Sequence, residues 1–571
     1  VNENRNMILA VVLSALVLIG WGLATQYFFP AANPPATKVD HGRQVALPQP
    51  HAGPAATSPA AVRDRRIVIS ETPRVAIETP RLRGSINLKG ARIDDLVLTT
   101  ERQTIDPNSP PVRLFSPGGT PDAYFASFGW TGSGFAAPGP DTVWRASGTR
   151  LTPSTPVTLS WDNGRGQLFQ IVFTVDENYL FSVEQRVSNG GTGPIAAQPF
   201  SLVNRVGESH DPTAWTNHVG PVGVFSGVAN YDNDFKDVRE AGSVSYQSRG
   251  GWLGFSDKYW LAALVPDQST NVTATFRHNG RSDAYQADVA APQTVVPPGQ
   301  GLRTETHLFA GAKEVQLLRA YSTSLGTALE RAIDWGWFRW FMLPIFSLLV
   351  WLFDHLGNFG VAIICLVVIV RALLFPIAQR QFASMAKMRS VQPKMKALQE
   401  RHKDDRMKLQ EEMMKLYKEE KVNPAAGCLP ILLQIPIMYA LYKTLLISVE
   451  MRHKPFVLWI RDLSAPDPMT PVNLFGYLPF TPPHILALGV LPILVGVSIW
   501  FQQKLAPTAA DPVQQQVMGL MPWVLMFIMA PFAAGLQLYW LTNNALSILQ
   551  QRILYARHPE LKAAMTTPIK K

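Results

Sequence analysis

Phe359-Gly360-Val361-Ala362-Ile363-Ile364-Cys365-Leu366-Val367-Val368-Ile369-Val370-Arg371-Ala372-Leu373-Leu374-Phe375 is an apolar run with one arginine inside it. Extended to Ala378, it is long enough to cross a bilayer core, which takes about 20 residues. Arginine at the centre of such a helix costs roughly 2.5–3.5 kcal/mol on insertion scales, so it normally faces water or protein. A charged segment follows, 379–423, with Arg380, Lys387, Arg389, Lys394, Lys396, Arg401, Lys403, Arg406, Lys408, Lys415, Lys418 and Lys421. A basic loop between spans is cytoplasmic by the positive-inside rule. A membrane arginine beside such a segment suggests a protein that handles something polar at the cytoplasmic side.

Working outward, the chain of 571 residues has a net charge of +10 and divides by composition. Residues 30–310 are polar, rich in Gly and Pro and strand-like, whereas 336–556 are mostly apolar. The charge is therefore read through membrane topology, and sequence-specific nucleic-acid binding is not expected. Spans are expected at 358–378, 425–449, 484–501, 517–530 and 534–555. An earlier one, 1–29, reads as a retained signal anchor, with a cleaved signal peptide as the alternative. Six crossings place both termini inside and the polar domain outside. Residues 316–357 read as an interfacial amphipathic helix region carrying Trp335, Trp337, Phe338 and Trp340, with a seventh crossing as the alternative. A short basic tail covers 557–571. Cys365 and Cys428 are the two cysteines, so the outside domain holds no internal disulfide.

Residues 30–66 are rich in Ala and Pro and read as an extended linker. Alternating runs follow over 67–315, such as Arg66-Ile67-Val68-Ile69-Ser70 and Gln170-Ile171-Val172-Phe173-Thr174-Val175. Alternation gives each strand one apolar face, and two such sheets bury those faces as a β-sandwich. His210, Asp211, Asp232 and Asp234 read as solvated loop residues. No serine elbow, zinc helix or phosphate loop accompanies them, and no cofactor, metal or enzyme activity is expected.

Two helices fit the charged segment, with a turn at Asp404-Asp405. Met385, Met388, Val391, Met395 and Leu398 share a face of the first, and Met407, Met413, Met414, Leu416 and Tyr417 supply the second. The plain reading is that the stripes pack together. The sharper one is that methionine, flexible and polarisable, adapts to varied apolar clients. Arg371 lies nine residues, roughly 13 Å at 1.5 Å per residue, before the edge marked by Arg380, farther than its side chain reaches by snorkelling. A partner inside the bundle or a solvated cavity answers the same need. Gln434, Thr542, Asn543 and Asn544 are candidates to line that cavity, and Pro376 and Pro436 to bend their helices around it.

At these residues the chain closely resembles the YidC family of membrane-protein insertases, in its Gram-negative branch. The resemblance rests on Ile369-Val370-Arg371, Ser384-Met385-Ala386-Lys387-Met388-Arg389, Val422-Asn423-Pro424 through Pro430, and Leu433-Gln434-Ile435-Pro436-Ile437. It continues through Phe456–Ser464 and Gly535-Leu536-Gln537-Leu538-Tyr539-Trp540, in order over 334–552. It implies an α-helical polytopic inner-membrane protein of six spans, with a five-span core, a cytoplasmic helical hairpin and a periplasmic β-supersandwich. It further implies a hydrophilic groove lined by Arg371, Gln434, Tyr539, Trp540, Thr542 and Asn543. The partners implied are nascent membrane proteins, ribosomes, the Sec translocon and membrane lipids, with a monomer sufficient. Val367 stands where some relatives have a polar residue, and Trp540 where relatives have tyrosine. Pro471 to Pro483 is longer than in some relatives, and the short tail argues against strong tail-mediated ribosome docking.

The physical task would be to move a short polar segment through hydrocarbon, where each unsatisfied polar group costs several kcal/mol. A wet groove shortens that barrier, and Arg371 would attract acidic residues of the outgoing segment. A solute transporter is the first rival, but it would show internal repeats, which this sequence lacks. A factor that folds spans delivered by another translocon is the second.

Overall fold

The computed structural model describes residues 37–40, 43–46, 63–211, 217–336, 338–402, 405–420, 429–478, 488–505 and 512–557. The expected anchor at 1–29, the motif at 423–428, residues 484–487 of an expected span and the tail from 558 lie outside the described residues. So do Trp337 and the side chains of Met385 and Met388. The described chain forms two compact units, the first up to Gln103 and from Ser109 to Asp334, the second Thr104–Asn108 and from Trp335 onward.

The first unit is built from strands. Among the described residues it contains a nine-stranded and an eleven-stranded sheet, almost wholly antiparallel. Gln167–Val175 shows why: every second residue is buried, as expected for a strand with one face on a core. Aromatic rings of the two sheets meet across the gap, Phe128 with Phe173 at 5.8 Å and Trp130 with Phe169 at 5.2 Å. Gln185 Nε2 also donates to Gly129 O across it at 2.7 Å. The expected sandwich is present.

Four local expectations need correction. Arg66–Ser70 is not a strand: Arg65–Ser70 is a short helix, because the Asp64 side chain accepts from Arg66 N at 2.7 Å and caps it. Within the expected linker, Thr37–Asp40 pairs with Arg43–Ala46 as an antiparallel ribbon. The first unit also extends past 315: helix Val315–Leu325 buries Leu318 and sets Tyr321 against Phe309 at 6.0 Å. Asp234, read as a loop residue, forms a capping box with Asp237 at the start of helix Phe235–Ala241.

The second unit consists of α1 (Arg339–Leu356), α2 (Phe359–Arg401), α3 (Arg406–Glu419), α4 (Leu429–Ile447), α5 (Val490–Leu505), α6 (Pro512–Met529) and α7 (Ala534–Arg557). Among the described residues, Arg339–Leu356 and Phe359–Gln379 are long and apolar enough to cross a membrane, and Met518–Met529 is a shorter apolar helix. α2 does not stop near Ala378, where the sequence suggested a span edge. It runs unbroken for 43 residues, from Phe359 to Arg401, and so carries on into the charged hairpin. α1 buries Met342, Phe346, Leu349 and Leu352, one helical stripe, and exposes Trp340 and Trp351.

The starts of α2, α5 and α7 and the ends of α1, α4 and α6 gather at one end of this unit, here called the loop end. The segment 448–478 covers it. Helix starts leave N–H groups without partners, and this segment supplies acceptors. Ala534 N donates to Ala465 O at 2.7 Å and Gly535 N to Leu463 O at 2.9 Å. Leu491 N donates to Asp467 Oδ2 at 2.7 Å, while Asp467 Oδ1 accepts from Trp459 Nε1 and Met469 N, each at 3.0 Å. Asn358 caps α2 through Val361 N and donates to Phe456 O at 3.0 Å. Phe456 lies on Gly360 so closely that a Cβ there would sit 2.0 Å from its ring. Asp467 thus carries three bonds at a helix start, where a carboxylate is favoured. Asp467→Ala leaves a buried N–H unpaired and is expected to cost about 2–3 kcal/mol. Thermal unfolding of the purified full-length protein in detergent reads this as a lower midpoint, with Asp467→Asn losing less.

Candidate functional site

Burial in the helical unit is one-ended. Its core joins Phe359, Ala362, Ile363, Leu366 and Val367 of α2 to Leu441 and Leu445 of α4 and to Ala534, Leu536, Leu538 and Tyr539 of α7. Below this level the packing opens. Among the described residues, α2 has no buried side chain between Val367 and Val391. Beyond Tyr539, the buried described residues of α7 are Asn544 and Ser547, both polar.

Arg371 sits one turn past Val367, at the floor of the closed half. Its Nε donates to Asn543 Oδ1 at 2.8 Å, and one terminal nitrogen donates to Asn543 O at 3.1 Å and to Ser547 Oγ. Ser547 Oγ in turn donates to Asn543 O at 2.7 Å. On α4, Gln434 Nε2 donates to the Tyr539 hydroxyl. Residues 539, 543 and 547 repeat at four-residue spacing and therefore share a face of α7. That face gathers polar groups from α2 and α4. Nearby on α7, Asn544 Nδ2 donates to Ser498 Oγ of α5 at 2.8 Å.

Four of the groove residues expected from sequence therefore meet in two hydrogen-bonded groups: Arg371 with Asn543, and Gln434 with Tyr539. Trp540 packs against the apolar core, and its Nε1 is buried with no acceptor among the described residues. Thr542 is not part of the cluster. It is half-buried and lies about 100° around the helix from Asn543. Ser547 and Ser498 were not anticipated. The available signal for Ser547 was its position four residues after Asn543.

The hairpin resolves its two readings residue by residue. Asp405 caps α3, accepting from Lys408 N at 3.0 Å, as the expected turn requires. Val391, Met395 and Leu416 form a small core, with Leu398, Met413 and Tyr417 against it. Met395 is thus buried in the hairpin's own packing, and Met413 is partly so, which removes Met395 from the residues a client can reach. Met407 (84% exposed) and Met414 (53%) face outward. With Gln410, Glu411, Lys415 and Lys418 they line a shallow open depression on α3. Lys394 pairs with Glu420 at 2.5 Å, and that hydrogen bond raises the lysine pKa, although so exposed a pair adds little stability.

Residues 74–348 match the YidC periplasmic domain, and residues 351–561 match the 60Kd inner membrane protein family. The chain belongs to the YidC family of membrane protein insertases. A membrane protein insertase YidC of Zymomonas mobilis is 46% identical over 98% of this chain and 96% of its own length. One of Nitrobacter hamburgensis is 45% identical over 98% and 96%. Among solved structures, an active YidC insertase with its first transmembrane domain resolved aligns over 88% of this chain and 95% of its own. Its identity is 19% and its TM-score 0.35. The strand-rich unit is this family's periplasmic domain, and the helices carrying Arg371 fall within the inner-membrane part.

Hydrogen bonds to a charged group contribute about 1.5–3 kcal/mol. A double-mutant cycle between Arg371→Ala and Asn543→Ala, read from unfolding of the purified full-length protein, is expected to give a coupling of about 1–2 kcal/mol. Additive effects would show that the pair contributes nothing.

Proposed function

We propose that this chain inserts and folds nascent inner-membrane proteins, alone or with the Sec translocon, through a hydrophilic groove floored by Arg371. The observation that carries this reading is the one-ended packing. The loop end is filled with apolar side chains and capped by 448–478, whereas polar side chains from α2, α4, α5 and α7 collect where the packing opens. In a bilayer, that opening holds water and shortens the hydrocarbon a polar segment must cross. Arg371 attracts acidic residues in the segment being moved outward. The client's apolar helix then leaves sideways into lipid, and that partitioning drives the step. The proposed groove residues are Arg371, Gln434, Tyr539 and Asn543, with Ser547 added, Trp540 as an aromatic wall and Thr542 at the margin.

In the proposed topology there are six spans: the 1–29 anchor, the first part of α2, and α4, α5, α6 and α7. Both termini and the hairpin are cytoplasmic, and the strand-rich unit is periplasmic. α1 lies at the interface in this plan. If it crossed instead, the strand-rich unit would share a side with the basic hairpin, against the positive-inside rule and against the periplasmic character of that domain. Met407 and Met414 offer an adaptable apolar surface to clients, ribosome or translocon at the groove's mouth. Met395 and Met413 serve the hairpin's own packing.

Reconstitution into liposomes without another translocon tests this. The client has one or two spans and an acidic outgoing segment, and protease protection of that segment is the readout. A partly screened ion pair of about 1 kcal/mol corresponds to about a fivefold effect. Arg371→Ala is therefore expected to lower protection of the acidic client about fivefold and to affect a client with a neutral segment much less. Protection equal to empty liposomes for the folded wild-type protein would leave only the assembly-chaperone reading.

A further inference from the structure

Between Asp467 and Lys504 the sequence holds no Asp, Glu, Lys or Arg. Its described part before α5 includes the short, kinked 3-10 stretch Pro471–Gly476 and displays apolar side chains. Tyr477 is 89% exposed, Leu474 55%, and Phe475, Val472 and Leu478 are also exposed. Leu458, earlier in the same covering segment, is 84% exposed. A water-facing loop of this length normally carries charge or polar turn residues.

This surface is fixed by its backbone. Leu474 and Phe475 both hold left-handed conformations, φ 51° and 60°, and Leu458 has φ 57°. Such values are unusual for bulky side chains, and they persist only where the surroundings over-determine them. Here they do: Phe475 N donates to Thr470 O at 2.9 Å and Leu478 N to Asn473 O at 3.1 Å, while Thr470 Oγ1 accepts from Val472 N at 3.2 Å. Thr470 follows Met469, whose N–H is held by Asp467, and Asp467 also holds Trp459 beside Leu458. A single hydrogen-bonded frame thus carries both groups of outward apolar residues. The exposed apolar surface continues onto the adjoining helices, at Leu494 of α5 and at Phe527 and Ile528 of α6.

We propose that Leu458 and the segment Pro471–Leu478 form a lipid anchor, seated in the headgroup–acyl boundary of the leaflet at the loop end. Charge-free apolar and aromatic side chains at the rim of a helical bundle match that layer, where an aromatic ring with a polar tip such as Tyr477 is favoured. The anchor holds the capped end of the bundle at a fixed depth and thereby sets how far below that leaflet Arg371 lies. It requires only that the helical unit sits in a bilayer, so it stands or falls independently of insertase activity.

The test uses the full chain with Cys365→Ser and Cys428→Ser, nitroxide-labelled at Leu458→Cys or at Tyr477→Cys. The protein is reconstituted in phosphatidylethanolamine–phosphatidylglycerol vesicles. Collisional access to oxygen and to a water-soluble nickel chelate, present on both sides, reports depth. Ser154→Cys, at an exposed site of the strand-rich unit, is the aqueous reference. Both sites are expected to show an oxygen-to-chelate ratio about fivefold or more above that reference, as for an apolar group at the interface. Ratios equal to the reference would mean an open aqueous loop. Exclusion of both probes would mean that protein covers the patch. Either result overturns the proposal.

Discussion

A guanidinium group cannot be left in hydrocarbon, and the helical unit is arranged around that constraint. Arg371 follows twelve apolar or small residues on α2, and its hydrogen-bond partners among the described residues come from α7. These partners are a side-chain amide, a carbonyl and a hydroxyl, and all are neutral. No carboxylate neutralises the arginine within this set. A structural ion pair would be silent toward a passing acid, whereas a cation satisfied by neutral dipoles keeps its charge available. The same arrangement therefore solves the folding problem and leaves an electrostatic handle for function.

That handle matters only because the bundle is closed at one end. Closure is achieved by a segment that contributes no span of its own. Residues 448–478 satisfy the starts of α5 and α7 and hold Phe456 against Gly360 at the start of α2. With the loop end filled, opening is confined to the other half, where Asn544, Ser547 and Gln434 stand in largely apolar helices. In the proposed reading this asymmetry gives a groove that does not run through the membrane, and such a groove would protect the permeability barrier while a client passes.

Much of this was legible in the sequence, for a physical reason. An arginine, a glutamine and an asparagine in apolar helices are too costly to be incidental, so Arg371, Gln434 and Asn543 announced themselves. Ser547 did not, because a serine satisfies itself on its own helix turn and carries no such cost. Periodicity gave the methionine stripes of the hairpin but not their partners. Met395 and Met407 read alike in sequence, and only packing shows one inside and the other out. The β-branched run Ile67-Val68-Ile69 suggested a strand, and one cap at Asp64 outweighed it. The length of α2 is not legible, because polarity changes near Gln379 while the helix does not, and no capping residue stands there to mark an end. The role of Asp467, joined to Leu491 across 24 positions, depends on tertiary proximity and leaves no local pattern.

The central claim is that the face of the bundle holding Arg371 is wet from the cytoplasmic side. The direct measurement is the labelling rate of single cysteines by a membrane-impermeant maleimide in inverted inner-membrane vesicles, in a Cys365→Ser, Cys428→Ser background. Gln434→Cys leaves the partners of Arg371 intact, and Leu373→Cys, at a position 74% exposed on the outside of α2, reports lipid-facing surface. A water-lined site is expected to react at least about tenfold faster than one facing lipid. Equal, slow labelling at both positions would mean a dry bundle and would contradict the account.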